Sequence, residues 1–246
     1  PGGRFLARVV DNAARVVGLR RRNDLGWPRF DGGPSNQGRP IVLVHGFGVD
    51  GSTMLQLGRR LVGRHRVVIP DLPAFGRHRT PTGFTDDGGP GIEPFLEALD
   101  DLLDRLDLDH PILVGSSMGG AIVANYAASR PQRPGGIVLI GPAGIEPPVD
   151  SEVFAAAKRD EHLLKVEDLD SFGRVYDMNF VKSPYMPRWM RRIVVAEAAP
   201  RAVEHEAILR SLESVMLATP DRYRTISCPT EIVWGECDRI IDPSGG

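Results

Sequence analysis

The sequence predicts an α/β domain, a mostly parallel sheet with helices on both faces and a helical insertion over one edge. Two observations carry that expectation. Short apolar runs at residues 40–44, 66–70, 112–114, 136–140 and 230–234 have the length and β-branched content of strands buried on both faces. Stretches with apolar residues at helical spacing alternate with them, the rhythm of a parallel sheet.

Composition sets the outer limits. The chain has 246 residues, 41% hydrophobic and 25% charged, enough for one large core and ordinary for a globular protein. Thirty Lys plus Arg against 32 Asp plus Glu leave a net charge of -2, which argues against a general nucleic-acid partner. Two cysteines, Cys228 and Cys237, make no disulfide framework and lack metal-ligand spacing, as in a cytoplasmic protein with reduced thiols. No apolar run approaches the roughly 18 residues of a membrane span. Opening at Pro1, the chain reads as a processed, trimmed or partial product.

In chain order, residues 4–22 place Phe5, Leu6, Val9, Val10, Ala13, Val16 and Val17 at helical spacing among Arg4, Arg8, Arg15, Arg20, Arg21 and Arg22. This is expected to be an amphipathic helix with a basic face, either packed on its own domain with the charges solvated or lying on an anionic membrane. Residues 1–30 are accordingly assigned to an N-terminal amphipathic helix. The core is expected at 31–146 and 221–246, with a helical lid at 147–220. A Gly, Pro and Asn loop at 31–38 leads to the strand 40–44, which stops at His45-Gly46-Phe47-Gly48. A helix near 52–62, a strand to Pro70, a Gly/Pro/Thr loop at 74–90 and a helix at 92–106 follow. Strand 112–114 then runs into Gly115-Ser116-Ser117-Met118-Gly119 and a helix to Arg130. Beyond the strand 136–141, the strand rhythm stops until 230–235. The intervening helical pattern is broken by Gly173, Pro184, Pro187 and Pro200. His45, Ser117 and Asp238 all follow strand ends, so they are expected on one edge of the sheet, where sites in such folds form.

The pentapeptide around Ser117 fits G-x-S-x-G, in which a strained strand-to-helix turn lifts a serine hydroxyl clear of the sheet. A strand before it and a helix after it are the context that pattern requires. Ser117 is therefore the candidate nucleophile. The glycine pattern is not G-x-G-x-x-G and no P-loop lysine is present, so no nucleotide, flavin or metal cofactor is expected.

Together with His45-Gly46-Phe47-Gly48, Gly141-Pro142-Ala143-Gly144 and Trp234-Gly235-Glu236-Cys237-Asp238, the motif resembles the α/β-hydrolase superfamily from about Arg39 onward. The nearest look is to its monoacylglycerol lipase and esterase branch. The resemblance implies Ser117 as nucleophile, Asp238 as the acid that orients a histidine, and the backbone N–H groups of Phe47 and Met118 as the oxyanion hole. Asp242 and Glu146 compete with Asp238 for the acid. His45 and Gly46 in the loop, with Met186 and Trp189 in the lid, are expected around the substrate; His45 itself reads as a brace of its loop more than as a base.

In this fold the order is Ser, acid, His, yet the six histidines, His45, His65, His78, His110, His162 and His205, all precede Asp238. The histidine-bearing segment is expected beyond Gly246. The implied activity is hydrolysis of a monoacylglycerol or medium-chain acyl ester, a small-molecule substrate. A C–C bond hydrolase, a thioesterase, or a non-catalytic ligand cup of the same fold are the alternatives. Peripheral membrane contact through the N-terminal helix is a further expectation, and oligomeric state is open.

Overall fold

A computed structural model describes residues 2–35, 37–78, 89–216 and 220–246. Its centre is a seven-stranded sheet: β1 (Leu19–Arg22), β2 (Arg29–Gly32), β3 (Ile41–Val44), β4 (Val67–Pro70), β5 (Ile112–Ser116), β6 (Gly136–Ile140) and β7 (Thr230–Val233), in the spatial order β1-β2-β4-β3-β5-β6-β7. From β4 to β7 every pairing is parallel, whereas β1 and β2 form an antiparallel flap on the β4 edge.

Strand periodicity sorts the core into two layers. In β3 all four residues are buried. Ile41 and Leu43 join one apolar cluster with Ala14, Met54 and Ile69, while Val42 and Val44 join the other with Leu96, Leu103 and Ile122. Each such fully buried aliphatic contributes about 1.5–3 kcal/mol. Helices α1 (Gly2–Val16) and α2 (Leu55–Leu61) supply the first layer. The second comes from α3 (Glu93–Arg105), which buries Phe95, Leu96, Leu99, Leu102 and Leu103, and α4 (Met118–Ser129), buried from Met118 to Ala127. A hydrogen-bonded cluster locks these two helices: Asp100 accepts from the Tyr126 hydroxyl at 2.6 Å and from Arg130, which also reaches Glu93.

The leading helix is shorter than its spacing predicts. It ends at Val16, Gly18 turns the chain at φ 87°, and Leu19–Arg22 is an edge strand whose Leu19 is fully buried. The sheet therefore begins inside the segment 1–30 that was assigned to the helix. Arg20 and Arg22 remain exposed on that strand, so the basic face predicted for one helix is shared by a helix and a strand. The second half of the flap, β2, enters the segment expected as loop.

Four helices fill the predicted insertion: α5 (Glu152–Ala157), α6 (Leu169–Met178), α7 (Arg188–Ala198) and α8 (Ala202–Met216), with a 3-10 turn between the last two. Ile208 and Leu212 of α8 are buried in the main core, and the Arg201 guanidinium donates to the carbonyls of Ala74 and Gly76. Residues 79–88 of the predicted 74–90 loop, like residues 217–219 at the insertion's end, lie outside the described residues. The strand expected to be as buried as β6 is the last in the described sheet, and all four of its residues are exposed there.

Candidate active site

Ser117 sits between the last residue of β5 and the first of α4, at φ 55° and ψ -120°. A positive φ in a residue with a Cβ costs roughly 1–3 kcal/mol and persists only where surrounding structure imposes it. Here the imposition is visible. The Ser117 N–H donates to Ile140 O at 3.0 Å, and its carbonyl accepts from Ala121 and Ala143, each at 3.1 Å.

The neighbouring glycines are required by space. A Cβ on Gly115 would stand 2.2 Å from the Gly119 carbonyl oxygen, and one on Gly119 would stand 2.3 Å from Val44 O. Both clashes are with backbone, which cannot swing aside as a flexible side chain would.

The loop after β3 closes on the same point. A Cβ on Gly46 would lie 3.3 Å from Ser117 Cβ and 3.7 Å from Ser117 Oγ. Among the described residues, the Phe47 and Met118 amides have no backbone acceptor; the latter opens α4, where helix geometry provides none. An oxyanion needs amide donors of this kind, without a backbone acceptor of their own.

His45 braces this loop. It is fully buried, its Nε2 accepts from the Leu72 N–H at 3.0 Å, and Nδ1 donates to Gly46 O at 2.8 Å. Burial holds its pKa below the ordinary histidine value, so the ring is neutral. With no exposed surface and both nitrogens committed to backbone, His45 is not a substrate contact, which corrects its placement around the substrate.

Asp238 follows β7. Its Oδ1 accepts from the amides of Ile240 and Ile241 at 2.9 and 3.0 Å, which orients the carboxylate, while a Cβ on Gly141 would lie 3.1 Å from Oδ2. Gly141 in turn donates to Val233 O at 2.8 Å, so Ser117, Ile140, Gly141 and Asp238 follow one another along the carboxyl ends of β5, β6 and β7. The rival acids are placed otherwise. Asp242 caps its own turn at Ser244, and Glu146 is exposed near Lys158.

The lid contributes a residue with no sequence motif. His205 of α8 stacks on Phe75 at 4.9 Å and meets Phe47 edge-on at 5.5 Å. Desolvation by burial and the Arg201 charge push its pKa down to about 4, and Nε2 is buried with no partner among the described residues. By contrast, Trp189 is half exposed, α7 buries none of its residues, and its main neighbours are α6, α1 and the 3-10 turn. Among the described residues, no hydrogen bond or ring contact joins Met186 or Trp189 to Ser117, and the carbonyl of Met186 accepts from Arg191 Nε at 3.0 Å. No hydrogen bond joins Ser117 Oγ to any histidine among the described residues. His162 lies near Asp160 and Glu206.

Residues 41–245 match the model of the alpha/beta hydrolase family. The chain belongs to that family. It is 30% identical over 211 residues to Lipase 1 of Psychrobacter immobilis, covering 84% of this chain and 64% of the lipase. It is also 30% identical over 222 residues to the 2-hydroxy-6-oxo-6-phenylhexa-2,4-dienoate hydrolase of Burkholderia cepacia, covering 84% of this chain and 74% of that enzyme. Among solved structures, a bacterial membrane phospholipase A superposes with a TM-score of 0.88 at 28% identity, over 99% of this chain and 78% of the phospholipase. The chain thus spans less than two thirds of the length of the lipase it matches.

Proposed function

We propose that this protein is a serine hydrolase of carboxylic esters, acting on monoacylglycerols or other medium-chain acyl esters through an acyl-enzyme on Ser117. The observation that carries the reading is the strained Ser117 turn with the Gly46 loop so close that a Cβ on Gly46 would lie 3.7 Å from the serine hydroxyl oxygen. In this mechanism Ser117 Oγ attacks the ester carbonyl as a base takes its proton. The amides of Phe47 and Met118 hold the resulting oxyanion, each donor being worth roughly 3–4 kcal/mol. Collapse expels the alcohol, which takes the proton back from the base, and water then releases the acid by the same route.

The base in this reading is a histidine carried beyond Gly246, hydrogen bonded to Asp238. Three observations support it: Asp238 Oδ1 is held by two amides, β7 presents an open edge with Ile232 and Val233 half exposed, and the matched lipase is longer. A fluorophosphonate probe tests the nucleophile: the complete protein is labelled and Ser117→Ala is not. A folded complete protein that stays unlabelled removes the enzyme reading in favour of a ligand cup. C–C bond hydrolysis by the same serine is favoured by the Burkholderia relative; turnover of vinylogous diketones but not of p-nitrophenyl esters would select it.

A further inference from the structure

A cluster of arginines lies where α1 meets the edge strand β1. A cleft of about 440 Å³ there is lined by Arg15, Arg20, Arg21 and Arg22. Arg21 is neutralised, reaching Asp11 at 3.3 Å and the fully buried Asp71 at 3.1 Å. Arg15, Arg20 and Arg22 are exposed and form no ion pair among the described residues. Nearby carboxylates are already engaged: Asp24 is paired with Arg29, and Asp31 with Arg29 and Arg66. Arg15, Arg20 and Arg22 thus line the cleft with no ion pair of their own among the described residues, although Arg20 stands in register with Asp31 and the charge of Arg22 reaches Asp24.

The same helix exposes an apolar ridge. Phe5, Val9 and Val16 are 60%, 47% and 87% exposed. At 3.6 residues per turn the three fall within about 40° of one another around α1. Arg8 and Arg15 border the ridge, while Ala14, buried against β1 and β2, marks the opposite side. Packing on its own domain thus accounts for one face of α1 and leaves the other, aliphatic and aromatic at its centre and cationic at its margin, open.

We propose that α1 and β1 form a docking face for an anionic lipid bilayer, with phosphate-bearing headgroups in the arginine cleft and Phe5, Val9 and Val16 in the acyl boundary. Charge complementarity selects the phosphate, which a planar guanidinium binds in two-pronged fashion. The ridge selects the bilayer over a nucleic acid, because a polyanion alone would leave three apolar side chains in water. An interfacial helix has this arrangement of apolar centre and basic flank. No helix among the described residues is long and apolar enough to cross a membrane.

Vesicle co-sedimentation of the complete protein tests this without any reference to turnover. Wild type is expected to pellet with phosphatidylcholine vesicles containing phosphatidylglycerol, and far less with phosphatidylcholine alone. Each cation near an anionic surface is worth about fivefold in partitioning, so R15Q/R20Q/R22Q should bind about a hundredfold more weakly. The charge-neutral F5Q/V9Q variant should lose about tenfold with the arginines intact. Unchanged circular dichroism and Tm show that both variants fold. Wild type that ignores anionic vesicles, or a triple variant that binds as well as wild type, overturns the proposal.

Discussion

The two ends of the candidate site are built very differently. At Ser117 the backbone is strained, three hydrogen bonds hold that one residue, and the strand before it and helix after it are buried. At Asp238 the preceding strand β7 is exposed along its whole length, and the carboxylate is oriented by amides two and three residues away. Ser117 is thus held by tertiary packing and Asp238 by local turn geometry. Strain can be maintained only in the first setting, where leaving the strained conformation would also disrupt the core.

Substitutions sharpen this contrast, and the largest effect falls on the chemistry. In the complete protein, Ser117→Ala should lower kcat for p-nitrophenyl esters by about 10⁶-fold with Tm nearly unchanged. Asp238→Asn should leave the fold intact and reduce kcat by roughly 10³–10⁴-fold, since it disturbs only the orientation of the base. The packing difference shows in stability. Gly119→Ala drives a Cβ into Val44 O and should cost about 3 kcal/mol or more in chemical denaturation, whereas Gly235→Ala, with nothing within 4 Å, should stay within about 0.5 kcal/mol of wild type.

The last expected effect is on pH dependence, and it concerns three histidines, one on α8 and two in the segments after β3 and β4. His45, His78 and His205 all have pKa values lowered chiefly by burial, His205 to about 4 from 6.5. Each binds a proton more readily unfolded than folded, so its contribution to stability is complete above pH 6.5 and declines as pH falls toward the folded value. Tm should accordingly drop between pH 6.5 and about 4, with a shallower slope in His205→Phe, which keeps a ring against Phe75. An unaltered slope in that variant would show that His205 is not among the groups responsible.

Much of this was readable one segment at a time. Four of the five parallel strands, β3, β4, β5 and β6, follow from short β-branched runs that can be satisfied only by burial on both faces, and the Ser117 turn follows from its glycines. The misreadings share one cause. Leu19-Arg20-Arg21-Arg22 suits a helix as well as a strand, and it becomes a strand because β2 lies beside it, with Arg20 paired to Asp31 and Arg22 to Arg29. His205 carries no local signature; its contact with Phe47 joins residues 158 positions apart.

Local chemistry, then, determined where the chain turns, which residues form the parallel strands and which hydroxyl is pushed into a strained bend, because backbone sterics and side-chain periodicity act over a few residues. Only the tertiary structure decided that Leu19–Arg22 is an edge strand, which ring rests on the Phe47 loop and where Arg15, Arg20 and Arg22 gather. Those outcomes depend on neighbours brought together from distant parts of the chain, and burial and charge pairing exist only once those neighbours meet.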